Sequence, residues 1–267
     1  MSAFRAFAAV TGALVQREAL RFVRQRSRLL GALGQPVLFW ILLGAGLGPS
    51  FRPAGLPAGV SYATWFFPGT VLLVVLFTAI FTTISVIEDR REGFLQAVLV
   101  APVPRSGIVA GKVAGGAALA LGEGVLLLLA APLAGWPLTA GAFLVATASL
   151  AITALALTAL GFCIAWRMES TQGFHLVMNL LLMPMWLLSG AFFPMAGTDL
   201  WLEAIMRINP LTYGMSALRQ ALGGGGGPVG QEVPALVPAL AIMAAFLLAA
   251  LTIAVLQVRR RGTGGPA

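Results

Sequence analysis

Cysteine and histidine each occur once in the 267 residues, as Cys163 and His175. No disulfide framework can be built, and no Cys/His metal cluster. Acids are scarce as well, nine against 17 basic residues, and charged residues make up only 10% of the chain where a globular domain carries about 25%. So few acids, placed mostly in loops, exclude the converging acid, histidine or metal groups that an integral membrane enzyme acting on lipid would need. Lysine occurs once, as Lys112, so arginine supplies nearly all of the formal +8 charge. Most of these arginines flank apolar runs, where they anchor to anionic headgroups, so nucleic acid is not the expected partner.

What is abundant is apolar sequence, at 59% of the residues, gathered in runs of about twenty that match the thickness of a bilayer core. The expected fold is all-α and polytopic. Six spans are read near 29–48, 64–87, 108–132, 139–165, 173–193 and 234–257, the fifth interrupted by Pro184. The first run starts near Leu29 without a small-residue cleavage pattern, so it is expected to remain as a span. With both termini on one side, that side receives 14 of the 17 cations, and only Arg52, Arg207 and Arg219 fall on the other. The positive-inside rule then places both termini in the cytoplasm.

Residues 1–28 precede the spans, leaving 29–267 as the membrane domain. At helical spacing Phe4, Phe7, Leu14, Val15 and Phe22 share one side, and Arg17, Arg21, Arg24 and Arg28 form an adjoining stripe. The pattern predicts a helix lying in the membrane interface, its apolar side in the acyl boundary and its arginines among lipid phosphates. The six tryptophans mostly mark span ends and suit an interfacial belt. The glycine pairs 44/48, 107/111 and 111/115 permit close helix approach but do not identify a dimer face.

Two connections are more than turns. The loop expected on the cytoplasmic side, 88–107, holds a mixed-charge cluster of Glu88, Asp89, Arg90, Arg91 and Glu92, a break at Gly93, and apolar residues Phe94, Leu95, Val98 and Leu99 at helical spacing up to Pro102 and Pro104. This predicts a short amphipathic helix with charges at its head, which can press an apolar side on a partner while the charges fix register. The outer region, 190–222, is too broken for a span and predicts short re-entrant or interfacial helices, followed by a glycine-rich loop, 223–227. The stretch from Gly107 to Lys112 has too few residues between its glycines for a phosphate loop, and Val113 stands where a hydroxyl must reach magnesium, so an ATP site is not expected in this chain.

The run from Glu92 to Arg105 (EGFLQAVLVAPVPR), with Gly111-Lys112 after it, resembles the signature of type-2 ABC exporter permeases. The stretches Leu188-Ser189-Gly190-Ala191-Phe192-Phe193-Pro194 and Asn209-Pro210-Leu211-Thr212-Tyr213 with Arg219 are similar to that family's second motif. Phe94 stands where the family carries a small hydroxyl residue, and Gln96 where it carries an acid. The resemblance implies a non-catalytic permease of the bacterial inner membrane, paired with a second copy and with separate ATP-binding subunits that hold ATP and magnesium. It implies that Glu88, Arg90, Arg91, Glu92, Gly93, Leu95 and Arg105 sit at or near the ATPase interface.

It further implies a substrate path bordered by the first, second and fifth spans, for which Phe39, Phe67, Phe77, Met178 and Trp186 are candidate lining residues. Glu123 joins them as the one acid read well inside a span, where an ionisable residue faces a wet cavity or a helix crossing. His175 and Asn179 are read as interhelical packing groups. A hydrophobic drug or lipid is the favoured cargo, and a lipid-linked polysaccharide the alternative. An ion-driven secondary transporter ranks lower, because the chain shows no internal repeat and only Glu123 at midplane depth.

Overall fold

The computed structural model describes residues 3–24, 26–47, 59–101, 103–195, 197–223 and 234–261, without the side chains of 22–30. Gly48, Arg52, Pro102, the glycines 224–227 and the side chains of Phe22, Arg24 and Arg28 lie outside the described residues. Among the described residues every regular element is helical: α1 (Ala3–Arg24), α2 (Arg26–Leu47), α3 (Tyr62–Phe81), α4 (Ile84–Arg91), α5 (Phe94–Val100), α6 (Arg105–Leu128), α7 (Ala140–Ala165), α8 (Thr171–Trp186), α9 (Leu200–Ile208), α10 (Pro210–Gly223) and α11 (Leu236–Arg261). The protein is an all-α polytopic membrane protein.

Among the described residues five helices are long and apolar enough to cross a bilayer, and α3 with α4 forms one of them, a 30-residue rod from Tyr62 to Arg91. Within the described residues the apolar part of α2, Gly31–Leu47, is shorter. Helix starts follow local chemistry. Ser61, Thr139 and Ser170 accept hydrogen bonds from the N–H groups of Thr64, Ala142 and Gly173, satisfying donors at the heads of α3, α7 and α8.

The α3 rod is the centre of the bundle, buried along almost its whole length against α2, α6, α7, α8 and α10. Such density requires small residues at the crossings. A Cβ on Gly116 of α6 would stand 2.6 Å from Thr82 Oγ1 and 2.8 Å from Thr158 Cγ2, where α3, α6 and α7 meet. The glycine stripe on α6 has a use that spacing left open. Gly107, Gly111 and Gly115 face Phe7, Leu14 and Glu18 of α1, so the stripe seats the amino-terminal helix.

That seating gives α1 partners within the chain that its amphipathic pattern does not specify. Leu14 is buried, Phe7 and Val15 face the protein, and Phe4 is left exposed. Arg17 and Arg21 bind carboxylates of the same chain. The tryptophans differ from a belt. Trp65, Trp136, Trp166 and Trp186 are buried, and Trp136 and Trp186 donate to the carbonyls of Thr64 and Gly69; Trp201 is the exposed one, at 64%.

The helix α8 runs through Pro184 and loosens just beyond it, in a π turn at Leu187–Ala191 with Gly190 at φ +84°. Arg105 donates to the carbonyl of Arg259, 2.7 Å away, so the last turn of α11 lies beside the start of α6 at one end of the bundle, the base. The helices α9 and α10 lie at the far end.

Candidate functional site

The base is organised by six charges on three helices. Asp89, fully buried, accepts a two-pronged contact from Arg17 at 2.7 and 2.8 Å and also binds Lys112. Lys112, itself buried, donates to Glu18 and to Ser85 Oγ at 3.2 Å. Arg21 pairs with Glu88 and reaches Asp89 at 3.5 Å. Three acids thus meet three cations, and a buried cluster is tolerable only when charge and hydrogen bonding are both answered in this way. For Arg17, burial opposes the charge, but the Asp89 hydrogen bond and the nearby charges of Asp89, Glu18 and Glu92 outweigh it and raise the pKa.

The cluster joins α1 to the short helix beneath the bundle. Gly93, at φ +78°, turns the chain sharply between α4 and α5, a conformation that suits glycine. Arg17 then lies 4.1 Å over the ring of Phe94. Leu95 is buried against the bundle, while Arg91, Glu92, Gln96, Ala97 and Val100 are exposed, Val100 at 86%. The seven residues named in advance for this region therefore divide. Arg91 and Glu92 point outward. Leu95 packs inward, Glu88 is engaged by Arg21, Arg105 holds α11, and Arg90 donates to the carbonyls of Trp166 (2.7 Å) and Met168, tying α4 to the α7–α8 turn. Asp89, Lys112, Glu18 and Arg17 were not singled out as site residues, although a lone acid in an arginine-rich helix is a signal that it has a cation to meet.

At the far end the second motif repairs the broken helix. Asn209 donates to the carbonyl of Met185 at 2.6 Å and Thr212 to that of Leu188 at 3.3 Å, satisfying acceptors around the π turn. Tyr213 donates to the carbonyl of Arg207, and Arg219, fully buried, lies 4.0 Å over the ring of Trp65. Against this turn Ala191 approaches Gly69 so closely that a Cβ there would lie 2.9 Å away.

Between these two regions lies a cavity of about 710 Å³, bounded by α2, the α3–α4 rod, α8 and Phe192. It runs from Glu88 and His175 near the base up to Trp186 and Leu43. Of the candidate path residues, Phe39, Phe77 and Trp186 line it. Phe67 and Met178 do not: both are fully buried, Phe67 edge-on to Trp40. Glu123 is buried behind the wall and accepts a hydrogen bond from Thr78, which does line the cavity. His175 borders the cavity at 5.1 Å from Phe81, and Asn179 is exposed.

The family model described as ABC-2 type transporter matches residues 9–222, which include most of the amino-terminal helix, the base cluster and both motifs. The chain belongs to the ABC-2 type transporter family. Among its curated relatives, Nodulation protein J of Rhizobium leguminosarum bv. viciae is 27% identical over 235 residues, 87% of each chain. The protein of the same name from R. leguminosarum bv. trifolii is 30% identical over 193 residues, 72% of each. The inner membrane transport permease YadH of Escherichia coli K12 is 26% identical over 184 residues, 68% of this chain and 69% of that one.

Proposed function

We propose that this chain is the permease subunit of an ABC exporter in a bacterial inner membrane, with its base and both termini in the cytoplasm. Its α5 is the handle held by a separate ATP-binding subunit, which carries the ATP and magnesium. The observation that carries this reading is the division of α5: Leu95 and Phe94 fasten it to the bundle, while Gln96, Ala97 and Val100 offer solvent an outer side headed by Arg91 and Glu92. A short helix with one side anchored and the other open transmits a push.

A second copy of the chain would cover the exposed apolar faces of α2 (Leu38, Ile41, Leu42) and α8 (Leu176, Leu180), which flank the cavity. Lipid covers the remaining outer faces. The chain performs no covalent chemistry; it alternates access to the path as the ATP-binding subunits close. A cavity of about 710 Å³ suits a drug- or lipid-sized cargo better than a polymer held whole.

Glu92→Arg tests the handle, because it reverses an exposed charge that reaches the buried cluster only through its field at Arg17. Recovery of the ATP-binding subunit with tagged permease should fall at least about tenfold, while membrane insertion stays normal. Unchanged recovery together with unchanged cargo-stimulated ATPase activity would reject α5 as the contact. Arg90→Ala should behave differently, lowering permease yield through the lost bonds to Trp166 and Met168.

A further inference from the structure

The charge of the cavity runs opposite to the charge of the protein. The chain carries a formal +8, yet among the described residues no lysine or arginine lines the cavity, and its one formally charged lining residue is Glu88. The Glu88 side chain is 37% exposed, and what holds its carboxylate is the Arg21 guanidinium of α1. Five aromatic rings, Phe39, Phe77, Phe81, Trp186 and Phe192, present π faces or edges to the same space. Gln35, Thr78 and His175 supply its remaining polar groups. An anion would meet the Glu88 carboxylate here and gain nothing from the rings; a cation is attracted by both.

From this juxtaposition of a carboxylate and an aromatic wall we propose that the cavity binds a lipophilic cation, with its charge toward Glu88 and its apolar body among the rings. The present partner of Glu88 sharpens the proposal. Arg21, from α1, occupies the carboxylate while also reaching Asp89 at 3.5 Å. An incoming cation competes with Arg21, and Arg21 retains Asp89 when displaced. Cargo entry is thereby linked to the helix whose Arg17 touches Phe94 of α5.

The proposal rests on reading the chain as an exporter permease, but its test needs no ATP-binding partner. Failure of that reading appears in the Glu92→Arg recovery experiment and not in this one. The full chain, in nanodiscs of zwitterionic phosphatidylcholine, is equilibrated with tetraphenylphosphonium or with the size-matched anion tetraphenylborate, and retention by empty discs is subtracted. The phosphonium should bind at least about tenfold more tightly than the borate. Glu88→Gln should remove most of that preference, whereas Arg21→Gln, which takes away the competing cation, should tighten phosphonium binding by about threefold or more. A merely disruptive effect on the base would weaken binding in both variants. Equal retention of the two ions, absence of retention, no response to Glu88→Gln, or a loss of affinity in both variants overturns the proposal.

Discussion

Replacing Lys112 with methionine is expected to cost about 3–5 kcal/mol of stability, the range for removing one partner from a buried ion pair. Glu18 and Asp89 both depend on the Lys112 ammonium and both are buried. Asp89 keeps Arg17, but Glu18 would be left with Arg17 only at 3.9 Å. The same loss of charge made together with Glu18→Gln should be milder than the single change by at least about 1 kcal/mol, because the stranded carboxylate is gone. Unfolding of purified protein in detergent measures both. A Lys112→Met protein within about 0.5 kcal/mol of wild type would mean that the cluster is wet or mobile and does not hold α1 in place.

Gly116→Val should be the most disruptive of the glycine substitutions inside the bundle. The added carbons meet Thr82 on one helix and Thr158 on another at distances that require the backbones to move, and neither neighbour is the tip of a long side chain. Overpacking of this kind costs about 1–3 kcal/mol, and here it opens the contact among three spans at once. Gly122 on the same helix has nothing within 4 Å of an added Cβ, so Gly122→Val serves as the control. A lower thermal midpoint for the first variant and little change for the second is the expected pattern. Equal behaviour would show that α6 does not approach α3 and α7 as closely as described.

The fold was readable because its main determinants are local: apolar runs of bilayer length, separated by proline, glycine and charge. The outward charges of Arg91 and Glu92 and the turn at Gly93 also follow from local sequence. What was not readable depends on pairs far apart in the chain. The face of α1 carrying Arg17 and Arg21 can meet phosphates or carboxylates with equal logic, and only the glycine stripe on α6, bringing Glu18 to Lys112 across 94 residues, decides between them. Asp89 sits among residues that look like one solvated charge cluster, yet helical rotation sends it inward while Arg91 turns out. The tryptophans near span ends satisfied a membrane-belt pattern, but carbonyls at Thr64 and Gly69 bind Trp136 and Trp186 inside the bundle. Pro184 marked the irregular span correctly, and the break itself falls at Gly190, whose positive φ the helix cannot continue.

The central claim, that α5 is gripped by an ATP-hydrolysing companion, is tested most directly by a photo-crosslinking amino acid placed at Ala97, on the exposed side of that helix. Irradiation of cells should give an adduct whose second component is an ATP-binding-cassette polypeptide, and the same probe at Leu200, exposed on α9 at the far end, should not. An adduct at Ala97 formed only with lipid or with a protein from outside the membrane would place α5 on the wrong side and contradict the account.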